Sequence, residues 1–272
     1  MKVKLLEATD NPIEVMWVAA RTCYSEKSPI EIWEWKYGEE PVTDETYGLV
    51  VKEHQEKMWK LVKSVISSGH DSIAQHISFT FAVEGISRAC SHQLVRHRHA
   101  VFSQKSQRYV EIEEDQDHLE ELFTNTDYHN DYEHSELHDI FEKYFTENTF
   151  KNVNGYYFAL DNYLEAIKDG EKPEDARRFL PNAIKTDLVM SMNLGELIHV
   201  SHLRLCTRAQ SEIRHLFQAI KNEVKKYNPQ VASLLVPSCE VNGFCKEHKC
   251  CGRKPTLNDV MSKYKGEYED GT

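Results

Sequence analysis

The chain of 272 residues carries 33 Lys and Arg against 44 Asp and Glu, a formal charge of −11, with 40% hydrophobic and 28% charged residues. That composition excludes wholesale disorder, collagen-like repeats and a disulfide miniprotein, and the length can bury a full core. The acidic total argues against indiscriminate nucleic-acid binding, and no apolar run approaches the roughly 18 residues a membrane-spanning helix needs. Neither a nucleic-acid nor a membrane partner is therefore expected. The N-terminal MKVKLLEATDNP lacks a long apolar stretch and a small-residue cleavage site, which predicts a cytoplasmic location.

Residues 46–67 place Leu49, Val50, Met58, Leu61, Val62, Val65 and Ile66 at helical spacing, closed by Ser67-Ser68-Gly69. In HISFTFAV, Ile77, Phe79, Phe81 and Val83 alternate with Ser78 and Thr80, which predicts a half-buried strand. From Ser87, a candidate cap, the period changes to 3.6 through roughly Arg98, and 99–112 then reads as extended. The stretch 111–147 holds fourteen Asp or Glu against the single Lys143, together with His118, His129, His134 and His138. Charged helical surface and solvated loop explain it more simply than metal binding. Helical stretches follow at about 148–168, 183–202 and 206–227, the last with an apolar stripe of Ala209, Ile213, Leu216, Phe217, Ile220 and Val224. Pro229 and Pro237 close the regular structure. No linker or repeat divides the chain, and this order of strand and helices predicts an α+β fold.

Seven cysteines, an odd number with Cys23, Cys90 and Cys206 scattered singly, fit a reducing compartment. The last four lie in PSCEVNGFCKEHKCCGR, where Cys239, Cys245, His248 and Cys250 or Cys251 have the ligand types of a zinc site. The paired C-x2-C knuckles of ordinary zinc modules are missing, so a compact loop with small thiols is the simpler reading and no metal is assigned.

The window 85–110 contains no acid in a protein of net −11, yet holds Arg88, Arg96, Arg98, Lys105 and Arg108 with His92, His97 and His99. On a helix Arg88, His92 and Arg96 form one stripe, and Gln104, Ser106 and Arg108 share a face of the extended part. Guanidinium, imidazole, amide and hydroxyl groups gathered in this way suit phosphates and heterocycle edges. A second basic set comprises Arg177, Arg178, Asn193, His199, His202, Arg204, Arg208 and Arg214, and two such sets suggest a multiply anionic ligand or two anionic ligands meeting. No G-x-G-x-x-G, G-x4-G-K-[ST], H-E-x-x-H or G-x-S-x-G motif is present. The residues alone lead as far as anionic, nucleotide-like ligands.

At RHRHAVFSQKS, Arg96-His97-Arg98 followed by seven residues and Ser106 resembles the R-H-R-x7-S signature of the flavin-dependent thymidylate synthases. SRACSHQLVRHR, SQRY, ARRFLP, LRLCTRAQSEIR, GHDSIAQHISFTF and RTCYS resemble the same family in its order, from about residue 15 to 235. The resemblance implies a mixed α/β single-domain subunit with a central sheet flanked by long helices, assembling as a homotetramer whose active sites are shared between subunits. Residues 1–235 then form the synthase domain, with 111–147 an acidic insertion and 236–272 a Cys-rich extension. The implied reaction is reductive methylation of dUMP to dTMP, with carbon from 5,10-methylenetetrahydrofolate, NADPH as reductant and FAD as cofactor, and no cysteine nucleophile.

Carried over residue by residue, Ser72, Arg96, His97, Arg98, Gln104, Asn193 and His199 match FAD contacts. Gln93, Arg96, Gln104, Ser106, Arg108, Arg177 and Arg204 match dUMP contacts. Arg204 matches the Arg that activates the pyrimidine, and Ser106 positions or activates the substrate. Gln104 stands where many members have Glu, and Gly195 where many have Arg. A relative acting on another pyrimidine nucleotide, or a non-catalytic nucleotide-binding protein of this fold, are the alternative readings.

Overall fold

The computed structural model describes residues 1–38, 47–125, 135–146 and 152–269. The side chains of Leu49 and Val50, together with His129, His134 and residues 148–151 of the expected 148–168 helix, lie outside this description. Four strands, β1 (Lys2–Ala8), β2 (Ser78–Ser87), β3 (Ala100–Gln104) and β4 (Lys185–Asn193), form one antiparallel sheet in the order β1-β2-β4-β3. The α-helices in chain order are α1 (Pro12–Thr22), α2 (Pro29–Glu34), α3 (Tyr47–Ser67), α4 (Arg88–Leu94), α5 (Gln116–Asn125), α6 (Glu136–Tyr144) and α7 (Val153–Lys168). They continue with α8 (Pro173–Ala176), α9 (Leu194–Arg204), α10 (Ser211–Tyr227), α11 (Pro229–Ala232), α12 (Ser238–Asn242) and α13 (Leu257–Glu269). Among the described residues there are also two 3-10 turns, Asp71–His76 and Arg177–Phe179. The chain is thus a mixed helix-and-sheet protein, as the order of its elements predicts. None of the described helices is long and apolar enough to cross a membrane.

The chain divides into two compact units, each built from separated stretches: residues 1–2, 82–96 and 102–190, and residues 3–81, 97–101 and 191–272. In the first unit, α5, α6 and α7 bury Leu119, Leu137, Ile140, Phe141, Tyr156, Leu160 and Tyr163 in one apolar cluster. Phe145 stacks on Tyr156 with ring centroids 4.3 Å apart, and Phe123 stacks on Tyr157 at 3.8 Å. The acidic stretch therefore supplies more than the charged surface its composition predicts. Leu137, Ile140 and Phe141 fall at i, i+3 and i+4, so α6 turns one stripe inward while its acids face water. Each fully buried Leu or Phe contributes roughly 1.5–3 kcal/mol.

In the second unit, α1 packs on α2, α3 and the 71–76 turn, while α9 packs on that turn, α10 and α12. The stripe read in 206–227 is buried along α10 through Ile213, Leu216, Phe217, Ile220 and Val224. Phe79 of β2 meets Tyr227 edge-on, with centroids 6.1 Å apart.

Five sequence expectations change. Pro229 and Pro237 do not close the regular structure, since α11 begins at Pro229 and α12 and α13 follow Pro237. The helix expected over 206–227 begins only at Ser211. The other three differences concern β4, α4 and β3. The helix expected over 183–202 is a strand followed by a helix: Thr186, Leu188, Met190 and Met192 of β4 are buried alternately, and regular α-helix begins only at Leu194. Leu and Met favour helices intrinsically, and sheet packing overrides that preference here. The helix after Ser87 ends at Leu94 rather than Arg98, although Ser87 does cap it, its hydroxyl accepting from the Cys90 N–H at 3.0 Å. The extended reading of 99–112 holds only for β3, because Tyr109 and Val110 turn back to donate to the Ser106 carbonyl.

Candidate functional site

In the first unit, α4 and the segment 174–184 frame an open cavity of about 480 Å³ lined by Arg88, His92, Gln107, Glu174, Arg177 and Arg178. Backbone pairing fixes one wall, since Arg88 N–H donates to the Ile184 carbonyl and Ala89 N–H to that of Asn182, both at 3.0 Å. Arg177 is oriented by its Nε, which donates to the Glu174 carbonyl at 3.1 Å. Burial weakens the hold of Arg88 on its proton, and the Arg177 guanidinium adds to that effect. Both groups remain cationic at ordinary pH. Two guanidiniums held within mutual repulsion form a site that an anion stabilises. Arg178 is neutralised by a two-pronged pair with Glu171 at 2.7 and 2.9 Å, so Arg88 and Arg177 carry the uncompensated charge of the cavity.

Ser106 heads the turn that follows β3, its Oγ accepting from the Arg108 N–H at 3.2 Å. Arg108 reaches the same segment as Arg177, with Nε and a terminal nitrogen both 2.7 Å from Glu174 Oε2. Ser106 and Gln107 also line a neighbouring smaller cavity with Tyr144, Tyr163 and Thr186. Gln104 points elsewhere: its Nε2 donates to Ser91 Oγ at 3.0 Å and to Thr186 Oγ1 at 3.1 Å, joining α4 to β4. Ser91 Oγ in turn donates to the Arg88 carbonyl. A carboxylate at 104 has no N–H to give either hydroxyl, so the amide suits this position.

In the second unit the chemistry gathers on α9. Asn193 caps the helix, its Oδ1 accepting from the Glu196 N–H at 2.8 Å. His97 is buried and receives Arg204 Nε–H on its Nε2 at 3.1 Å, while its Nδ1 stands 3.8 Å from Glu196 Oε1. Burial pushes the His97 pKa down to about 4, with Arg204 and His199 acting in the same direction. The ring is therefore neutral at pH 7, and because Nε2 accepts, its proton sits on Nδ1 towards Glu196. His202 is likewise held below the ordinary histidine value, first by burial and then by His199. Ser72 is exposed on the 71–76 turn against which α9 packs. At Gly195 an added Cβ would lie 3.2 Å from Gln75 Cγ and 3.4 Å from Asn193 Oδ1, so a side chain there would need Gln75 to give way.

Of the residues predicted from sequence, the fold joins Ser106, Arg108 and Arg177 through the Glu174 segment, and His97 with Arg204. Arg96, Arg98 and His199 are exposed, and Gln93 is half-buried on α4. Arg88, His92 and Gln107 enter the cavity beside Arg177; sequence reasoning placed Arg88 and His92 in an anion-suited stripe without matching them to a ligand, and it gave Gln107 no role. Their signal was present in the Arg88–His92 spacing along the acid-free window. In the acidic stretch, ligand atoms of His138, Asp139 and Glu142 lie within 4.8 Å of one another, an exposed grouping apart from these sites.

The family model described as thymidylate synthase complementing protein matches residues 4–230. A flavin-dependent thymidylate synthase of Clostridium tetani is 34% identical, over 96% of both chains. That of Geobacter sulfurreducens is 35% identical, over 93% of this chain and 94% of its own. The crystal structure of the Helicobacter pylori enzyme ThyX, complexed with FAD and dUMP, aligns at a TM-score of 0.63 and 22% identity. The alignment covers 87% of this chain and all of that one, and it shows the shared fold. Matched over residues 4–230 by the family model, and over 96% and 93% of its length by the two curated relatives, the chain belongs to the flavin-dependent thymidylate synthase family.

Proposed function

We propose that this protein converts dUMP to dTMP in the cytoplasm, taking its carbon from 5,10-methylenetetrahydrofolate and its electrons from NADPH by way of FAD. The observation that carries this reading is the Arg88–Arg177 pair, two cations held close together in an open cavity sized for a nucleotide. A monophosphate relieves their repulsion and accepts from both guanidiniums. Ser106 and Arg108, turned onto the Glu174 segment, orient the nucleotide beside them, Gln93 adds a further contact, and Gln104 supports the site from behind by joining α4 to β4.

The donor set also fits FAD. Arg98, His99 and His199 stand exposed in the second unit, where guanidinium and imidazole groups suit a diphosphate and a heterocycle edge. Ser72, Arg96, His97, Arg98, Asn193 and His199 hold the cofactor in active sites that several copies of a homotetramer share. FAD held by these residues would supply hydride chemistry to the pyrimidine, with NADPH as the source of its electrons. The neutral His97 ring fixes the plane of the Arg204 guanidinium, leaving the terminal nitrogens of Arg204 to polarise the pyrimidine where negative charge develops. No cysteine attacks the base in this reading. Ser106 positions substrate, its Oγ oriented by the Arg108 N–H from which it accepts.

Tritium release from dUMP labelled at C5, with FAD, NADPH and methylenetetrahydrofolate each omitted in turn, tests the proposal. Release that needs all three supports it. NADPH oxidation without release points to a different acceptor and overturns it.

A further inference from the structure

The open cavity framed by α4 and the segment 174–184 has a carboxylate on its wall as well as cations. Glu174, half-buried on α8, is the one acidic residue that lines it among the described residues. Its Oε2 accepts from Arg108 Nε at 2.7 Å and lies 2.7 Å from a terminal nitrogen of the same guanidinium. Its backbone carbonyl accepts from Arg177 Nε at 3.1 Å. One residue thus fixes two arginines, one with its side chain and one with its main chain. A carboxylate placed beside an anion site also repels whatever anion enters.

The balance of charge around the cavity decides how much anion it accepts. Arg88, Arg177 and Arg178 line it, and Arg108 is tied to it through Glu174. Glu171 neutralises Arg178 and Glu174 neutralises Arg108, so these four guanidiniums and two carboxylates leave a net charge of +2 on Arg88 and Arg177. A phosphate monoester carries about −1.5 to −2 near pH 7 and matches that charge. A second or third phosphate brings further negative charge. Arg108 is already engaged by Glu174 and does not receive it, and the Glu174 carboxylate opposes it from the wall.

We propose that Glu174 is a specificity-determining residue that confines this cavity to a nucleoside monophosphate and disfavours the di- and triphosphates of the same nucleoside. The proposal rests on the reading of the Arg88–Arg177 pair as the phosphate site of dUMP. Specificity is a difference of affinities, and it is built from an element that opposes the wrong ligand as well as one that holds the right one. Coulomb energy scales with the charge of the ligand, so removing one nearby negative charge helps a triphosphate about twice as much as a monophosphate. Glu174→Gln makes that change alone: its amide oxygen still accepts from Arg108, but the charge is gone.

The test is calorimetry of dUMP, dUDP and dUTP binding to the full-length, FAD-loaded protein, with EDTA present so that no divalent cation masks the phosphates. Wild type is expected to bind dUMP at least as tightly as dUDP and dUTP. In Glu174→Gln the affinity for dUTP relative to dUMP should rise about three- to tenfold, with dUDP between them. Glu174→Asp keeps the charge and should keep the wild-type ratio. A residue that only shapes the fold would change all three affinities alike, and that outcome overturns the proposal. Relaxation in Glu174→Asp equal to that in Glu174→Gln overturns it too. So does a wild type that binds dUTP about tenfold more tightly than dUMP, a result that needs no variant to fold. Binding of none of the three by wild type would instead remove the phosphate reading of the cavity, and this proposal with it.

Discussion

Arg204 Nε donates to His97 Nε2 across 3.1 Å, although 107 positions separate the two in sequence. The bond fixes both partners: His97 is held neutral with its proton on Nδ1, and Arg204 loses rotational freedom while its charge remains. Replacing Arg204 with Ala is expected to cut dTMP formation by about 10²-fold or more while FAD is retained. The same variant raises the His97 pKa above about 4 but leaves it below 6.5, since burial is the larger cause. Histidine ¹⁵N shifts followed through a pH titration report this directly. Near-normal turnover would rule out a catalytic role for Arg204.

Stability should depend on pH through the same ring. Between pH 6.5 and about 4 the unfolded chain binds a proton at His97 that the folded chain refuses. The contribution is complete above 6.5 and falls away as pH drops towards 4, reaching at most roughly 3 kcal/mol. His97→Gln keeps an acceptor for Arg204 and removes the titration. Urea midpoints measured at pH 7 and 4.5 should therefore converge in the variant relative to wild type.

Arg177→Ala should weaken dUMP binding by about 10- to 100-fold, the loss of one charge-assisted contact to a phosphate. Deoxyuridine, which lacks the phosphate, should bind the variant and the wild type alike. Calorimetry with both ligands separates the outcomes, and an unchanged dUMP affinity would remove the cavity from the reading.

Gly195→Ala sets a helix gain of about 1 kcal/mol against contact with Gln75. In wild type the two effects are expected to offset. In a Gln75→Ala background the same change should stabilise by about 0.5–1 kcal/mol, since the opposing side chain is gone. Thermal melts of the four proteins in this cycle give the coupling.

Phe141→Ala should destabilise the protein by about 3–5 kcal/mol, the cost of an aromatic-sized cavity in a packed core. A surface role for the acidic stretch predicts almost none. Chemical denaturation monitored by tyrosine fluorescence distinguishes the two.

Sequence reasoning reached furthest where a single period dominates. The β2 alternation through Val83 and the α10 stripe were legible because Phe79, Phe81 and Val83 share one face of the strand and the buried residues of α10 share one face of the helix. β4 was not, because Leu188, Met190 and Met192 suit helices by propensity and the true helix of α9 follows without a break. In 111–147 the acid count masked Leu119, Leu137 and Phe141, whose spacing marks a core stripe. For the candidate site, the residue types were readable but their partners were not. Nothing local announces that Arg88 meets Arg177 or that His97 meets Arg204. Those pairings are set by the fold.

Asn193 illustrates what such a fold does to a sequence over time. Its side-chain oxygen starts α9, so drift at this position is confined to the few residue types that can begin a helix, whatever becomes of the ligand. A lineage that abandoned the chemistry would still be expected to keep Asn, Asp, Ser or Thr there. Invariance at 193 among relatives would then record architecture as much as catalysis, whereas drift at exposed Arg98, which starts no helix, would be the earlier sign of a lost activity.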